Sequence, residues 1–284
     1  MGAQEIAAGS ADRVSIAISG GIADVRLNRP DKMNALDPAM MAALLAAAER
    51  LGGEPGLRAV VLSGEGRAFC AGLDMASFAA LASGEGGGLV PGRLADRTHG
   101  PANMFQHLAL GWRGLPVPVI AALHGSAFGG GLQIALGADI RYVAPDAKLS
   151  VMEIRWGIVP DMGGTLLLRD LVRADVMREL TYGGRIVSGE EAVTLGLATR
   201  VCSDPREEAL ATGRVIAARN PDAIRAAKRL FNLADDDRSA RILLAESSEQ
   251  EAILGRPNQI EAVRANMERR TAVFRDPDNL TRDS

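Results

Sequence analysis

The chain has 284 residues, 47% apolar and 24% charged, with a formal net charge of -3. These values fit a soluble globular protein of one or two domains with a sizeable core, and they argue against a broad nucleic-acid-binding surface. Two cysteines, Cys70 and Cys202, make no disulfide framework and offer no metal-ligand spacing, so a reducing cytoplasm and no metal are expected.

Residues 1–12 are small and acidic, lack the apolar core of a signal peptide, and are expected to be disordered. No run of about 20 apolar residues occurs, so no membrane association is expected. Residues 14–18 alternate like a strand, Gly20-Gly21 turns the chain, and residues 22–27 return, which predicts a hairpin. Asp37-Pro38 opens a helix by capping and by placing proline at its first position; alanine and leucine carry it to Gly52-Gly53. Residues 59–62 predict the next strand. Residues 83–100 are rich in glycine and read either as a surface loop or as a lid over a ligand pocket. A helix is predicted over 103–113, a buried strand over 118–123, and strands over 140–144 and 148–154.

Helices follow at 165–171 and 174–181. Ser188 and Glu191 form a capping-box pattern, and Gly196 ends that helix. After a short strand at 198–202, everything beyond Pro205 reads helical: 206–219, 221–233, 239–254 and 257–274. This composition shift divides the chain into a core at 13–204 and a helical segment at 205–284. The repeated unit of strand, turn and helix implies an α/β fold, and composition alone favours a doubly wound sheet.

Three stretches carry chemistry. The first is His124-Gly125-Ser126-Ala127-Phe128-Gly129-Gly130-Gly131, followed by a short helical pattern with Gln133 in it. Consecutive glycines at a helix start leave outward N–H groups that can hold an anion or a developing oxyanion, or else serve close packing of helix on strand. The second is Gly64 to Met75, with Cys70-Ala71-Gly72-Leu73-Asp74 at its end, and the third is Leu27-Asn28-Arg29-Pro30-Asp31-Lys32-Met33-Asn34-Ala35-Leu36. In this order and spacing they resemble the crotonase (enoyl-CoA hydratase/isomerase) superfamily from about residue 14 to residue 274.

The resemblance implies a spiral of ββα units with a C-terminal helical trimerisation subdomain, and a homotrimer or homohexamer. It implies an acyl-CoA thioester as substrate, with coenzyme A present only as part of it and no other cofactor. The backbone N–H groups of Leu73 and Gly130 are then the donors to the thioester oxygen, and Gly130 is expected to need a glycine-only conformation. Met33, Ala71, Leu73, Asp74 and Met75 fall where the family wraps coenzyme A. The segment Val151-Met152-Glu153 through Asp161 matches a further family stretch, which makes Glu153 the catalytic glutamate shared by hydratases and isomerases. Two positions depart from the common hydratase pattern. Gln133 stands where hydratases have a second glutamate and dienoyl isomerases an aspartate, and Asp161 stands where hydratases have glycine and the dienoyl isomerase branch an acid. Glutamine cannot exchange a proton at neutral pH. Glu153, Asp161 and Gln133 are therefore the catalytic candidates, with double-bond shift favoured over hydration. Hydrolysis, decarboxylation or carbon–carbon cleavage on the same scaffold, and a non-catalytic binding or assembly role, are the alternatives. Cys70, His124, His99 and His107 are expected to be structural.

Overall fold

The structure, a computed structural model, describes residues 4–5, 13–82, 92–232 and 236–274. The N-terminal hairpin forms as its alternation predicts: β2 (Val14–Ser19) pairs antiparallel with β3 (Ile22–Leu27), and every inward residue of β3 is buried. Gln4–Glu5 add a two-residue edge strand, β1, against β2, where disorder was expected; the rest of residues 1–12 lies outside the described residues. The sheet then continues in parallel through β4 (Ala59–Gly64), β5 (Val119–Leu123), β7 (Ile140–Val143) and β10 (Arg200–Val201). β4 and β5 are near-continuous apolar runs because helices cover both faces of this part of the sheet. Strand order rises steadily across the sheet, with no point at which it reverses. That corrects the doubly wound expectation.

A second, three-stranded sheet explains the difference. It contains β6 (Ser126–Phe128), β8 (Lys148–Ser150) and β9 (Val187–Ser188). β5 passes directly into β6 through Gly125, whose φ of +56° turns the chain from one sheet into the other. A Cβ at Gly125 would lie 1.9 Å from the Arg67 carbonyl oxygen, so only glycine fits. Cys70 bridges Ala127 in parallel, adding the end of the 64–72 connection to the same second layer. Each unit is thus a strand in the large sheet, a shorter strand in the small one, and a helix. This is the spiral of ββα units that the resemblance implies.

The helices are α1 (Pro38–Gly52), α2 (Met75–Ala82), α3 (Met104–Arg113), α4 (Gly130–Leu136), α5 (Gly164–Arg169), α6 (Ala174–Gly183), α7 (Gly189–Leu195), α8 (Pro205–Ala217), α9 (Pro221–Phe231), α10 (Asp236–Ile253) and α11 (Pro257–Glu268). Asp37 caps α1 by accepting from the Met40 N–H, as expected. The reciprocal capping box belongs to Asn103 and Gln106 on α3. Ser188 accepts from Glu191 N–H, but the Glu191 carboxylate pairs with Arg185 at 2.7 Å instead of closing a box. α8 lies on the large sheet, packing Ala209 against Ile22, Val61, Ile120, Ala122 and Tyr142, so it completes the core rather than opening a separate segment. The last helix stops at Glu268, with Arg269 in the left-handed region, short of the predicted residue 274. Residues 83–91 of the glycine-rich loop lie outside the described residues. Among the described residues no helix is long and apolar enough to cross a membrane.

Candidate active site

A cavity of about 680 Å³ opens between the two sheets and the helices above them. Its walls are mainly apolar and include Leu36, Met41, Phe105, Phe128, Ile158 and Met162. Every residue singled out from the sequence lines it: Met33, Ala71, Leu73, Asp74, Met75, Gly130, Gln133, Glu153 and Asp161.

Asn34 gathers the segments at one end. Its side chain is fully buried and its Nδ2 donates to the carbonyls of Glu65, Ala68 and Phe69 at 2.9, 2.8 and 3.2 Å. Its Oδ1 accepts from Arg29 N–H at 2.8 Å. Met33 and Asn34 both hold left-handed torsions, φ +49° and +55°, a cost that these bonds offset. Leu36 then bridges Leu73 in parallel: Leu36 N–H donates to the Gly72 carbonyl and Asp74 N–H to the Leu36 carbonyl. In such a ladder the intervening residue turns its own N–H the other way. Leu73 N–H therefore faces the Phe128–Gly130 side and the cavity.

The glycine turn faces it from the small sheet. A Cβ placed on Gly72, at φ +87°, would lie 2.7 Å from the Phe128 oxygen and 3.8 Å from the Gly130 nitrogen, so the two backbones touch here. Gly130 N–H is the first of α4 and lies beyond the reach of the helix ladder. Among the described residues neither Leu73 N–H nor Gly130 N–H donates to a protein acceptor. The glycine-only conformation expected at Gly130 belongs instead to Gly129, at φ +50° and ψ -123°. Gly130 is constrained by space, since a Cβ there would meet Met162 Sδ at 2.8 Å and Leu36 Cδ1 at 3.0 Å.

Glu153 was expected at the end of a strand. It opens a 3₁₀ turn, Glu153–Trp156, because the small sheet's strand ends at Ser150. The residue is 5% exposed; Oε1 accepts from Gln133 Nε2 at 2.5 Å, and Oε2 has no hydrogen-bond partner. Burial pushes its pKa up to about 7, with the Glu246 charge adding to the rise, against the bonds from backbone and Gln133. Asp161 is pushed up to about 8, first by desolvation within the protein and then by Glu246 and Glu153, although part of it remains open to the cavity.

Gln133 is anchored by three hydrogen bonds. Its Oε1 accepts from Met162 N–H and Gly164 N–H, both at 2.9 Å, while Nε2 holds Glu153. Only one orientation of the amide satisfies all three bonds. The sequence reading did not single out Glu246, on α10. It is 5% exposed and accepts from Gly163 N–H at 3.0 Å and Thr165 N–H at 2.8 Å.

At the cavity mouth Arg29 pairs with Asp74 at 2.6 Å and with Asp37 at 3.5 Å. Burial alone would raise Asp74, but the Arg29 bond, Ala76 N–H and the charges of Arg29 and Lys32 together carry it below its ordinary value. Cys70 is buried, donates to the Asn34 carbonyl at 3.1 Å, and has its thiol pushed up to about 12 by desolvation, so it is a packed thiol. His124 contacts the Gly66 carbonyl at 2.9 Å, and His99 stacks on His107, in line with structural roles.

The enoyl-CoA hydratase/isomerase family model matches residues 17–277. The chain belongs to this family. Across 256 residues it is 33% identical to the enoyl-CoA hydratase/isomerase YngF of Bacillus subtilis (strain 168), covering 88% of this chain and 93% of the relative. Across 253 residues it is 30% identical to the mitochondrial Delta(3,5)-Delta(2,4)-dienoyl-CoA isomerase of Mus musculus, covering 87% and 76%. A crystal structure of an enoyl-CoA hydratase/isomerase from Mycobacterium paratuberculosis superposes with a TM-score of 0.80 at 26% identity, covering 90% of this chain and 99% of that one. Like other enoyl-CoA hydratase/isomerase family members, it is an acyl-CoA-processing enzyme with the crotonase fold.

Proposed function

We propose that this enzyme shifts a carbon–carbon double bond of an enoyl-CoA thioester. The observation that carries the reading is the neutral, anchored amide of Gln133. The position at which a second hydratase carboxylate would act is occupied by a neutral group, whose Oε1 accepts from Met162 and Gly164 N–H and whose Nε2 donates to Glu153. The two proton carriers left in the cavity are Glu153 and Asp161, whose pKa values of about 7 and about 8 let each hold or release a proton near neutrality.

The thioester oxygen lies between Leu73 N–H and Gly130 N–H. Ionised Glu153 removes a proton from carbon, and the charge moves onto that oxygen as an enolate, where each N–H donor is worth about 3 kcal/mol. Protonated Asp161 returns a proton at the far carbon of the conjugated system, so one proton leaves, one arrives, and the double bond migrates without net oxidation. Gln133 orients Glu153 through its Nε2. Met33, Ala71, Leu73, Asp74 and Met75 hold the adenine and pantetheine portions of coenzyme A, which is needed only as part of the substrate. Catalysis takes place in a cytoplasmic homotrimer or homohexamer, and the exposed Leu230, Phe231, Leu244 and Met267 on the C-terminal helices support that assembly.

Turnover of matched 2-enoyl-, 3-enoyl- and 3,5-dienoyl-CoA thioesters, followed by chromatography of the products, tests the proposal. Migrated double bonds are expected to exceed hydrated product. Predominant 3-hydroxyacyl-CoA, or release of free coenzyme A, would refute the assignment.

A further inference from the structure

The turn that follows Asp161 carries four successive backbone N–H groups, those of Met162, Gly163, Gly164 and Thr165, at the start of α5. Donors in such a position attract acceptors. Two side chains divide them alternately. Gln133 Oε1, from α4, takes Met162 and Gly164; Glu246, from α10, takes Gly163 through Oε2 and Thr165 through Oε1. One element is neutral and the other anionic. Both also reach outward: Gln133 to Glu153, and Glu246 to Gln106 Nε2 on α3 at 3.3 Å.

Glu246 is an unusual group to bury. It is a carboxylate, 5% exposed, and no cation forms a salt bridge with it among the described residues. The charged and titratable groups that bear on it are Asp161 and Glu153 from the cavity wall and Arg97 from the 92–103 segment. Arg97 does not touch it directly; it bonds to Gln106 Oε1 and Ser247 Oγ. From α3, Glu246 meets the Gln106 amide, and from the start of α5 the backbone N–H groups together with the Thr165 hydroxyl. A neutral glutamine could accept one of the two N–H bonds but would turn an NH₂ group toward the other donor. A carboxylate is therefore the side chain that closes both bonds.

We propose that Glu246 is a positioning residue of the active site: through the Gly163 and Thr165 N–H groups it fixes the turn that places Asp161 at the cavity wall, and its negative charge faces the two proton carriers. The inference rests on the reading of Glu153 and Asp161 as those carriers. It assigns a part of the catalytic apparatus to α10, far along the chain from the glycine turns. Burial also raises Glu246 itself, to about 7, so its charge grows over the same pH range in which Glu153 and Asp161 titrate.

The sign of the effect follows from charge. An anionic Glu246 makes it harder to ionise Asp161 and Glu153; a neutral residue removes that opposition and lowers both pKa values. The ascending limb of the pH–rate profile should then move to lower pH.

The experiment compares Glu246→Gln and Glu246→Ala with the wild-type enzyme on the best substrate of the enoyl-CoA panel, measuring kcat and KM from pH 5 to 9. Circular dichroism and thermal melting accompany the kinetics. Glu246→Gln is expected to fold, to lower kcat at least tenfold with KM within about twofold of wild type, and to shift the ascending limb by at least half a pH unit downward. Two results overturn the proposal: wild-type kcat with an unmoved limb, or a loss of kcat that tracks the melting temperature with an unmoved limb. Should Glu246→Ala fail to fold, Glu246→Gln alone decides. Asp161→Asn and Glu153→Gln are measured alongside. Wild-type turnover in both would refute the underlying assignment of proton carriers, a result separate from either Glu246 outcome.

Discussion

Glu153→Gln separates the proton from the shape of its side chain. In the structure Glu153 Oε1 accepts from Gln133, while Oε2 has no partner. A glutamine can keep its oxygen toward Gln133 and place its NH₂ where Oε2 was, so no existing bond is lost. The wild-type carboxyl group is raised from an ordinary 4.5 to about 7 by burial. An acid raised on folding binds its proton more tightly in the folded state, so its contribution is favourable at low pH and is lost as pH climbs through that range. At 1.36 kcal/mol per unit, ionised Glu153 costs the fold about 3 kcal/mol above pH 7. The new, unpaired NH₂ group takes back about 1 kcal/mol. Glu153→Gln should therefore be about 1 kcal/mol less stable than the wild type near pH 4 and about 2 kcal/mol more stable at pH 8.5, the latter roughly 3–4 °C in melting temperature for a chain of this length. Turnover should fall by a factor of about 10²–10⁴, with acyl-CoA binding unchanged. Thermal melts at the two pH values, beside turnover assays and calorimetry with acyl-CoA, read all three quantities. A variant that loses activity but gains no stability at pH 8.5 would refute the claim that a buried, costly charge drives the chemistry. Wild-type turnover would refute Glu153 as the proton carrier.

Gly72→Ala should lose about 2–4 kcal/mol, because its φ of +87° disfavours a side chain and the new Cβ would press on the Phe128 oxygen at 2.7 Å; chemical denaturation reads the loss, and a stable variant with full turnover would show that the two backbones need not touch. Light scattering after size-exclusion chromatography should give a trimer or hexamer, and a monomer at micromolar concentration would remove the assembly reading of Leu230, Phe231, Leu244 and Met267.

The residues that are legible in sequence are those whose chemistry is local. Gly129-Gly130-Gly131 after an apolar strand, and Ala71-Gly72-Leu73 after another, mark turns that only glycine permits, and the structure brings them together. Glu246 was not legible because it sits within Ala-Glu-Ser-Ser-Glu-Gln-Glu, a polar helical run that looks like a solvated face; only the docking of α10 shows that one face is dry. Asn34 reads as an ordinary turn residue, and its grip on three carbonyls depends on contacts more than 30 residues away. β6 has three residues and β9 two, too short for alternation to show, which is why composition alone favoured a doubly wound sheet and the spiral of ββα units was legible only through the family resemblance. The placement of α8 escaped for a related reason. Pro205 begins a run of helices of similar composition, and only Ala209 and Gly213, small residues set against the sheet, distinguish the helix that belongs to the core.

The turn at residues 162–165 also has a history in time. Thr165 meets its partner Glu246 across 81 residues of chain. At a synthesis rate of about 5–20 residues per second, roughly 4–16 s separate their emergence. During that interval the residues of both glycine turns have been synthesised, while two of the four N–H groups beside Asp161 still lack their acceptor. On this geometry a growing chain carries both glycine turns before it carries the acceptor that completes the turn beside Asp161.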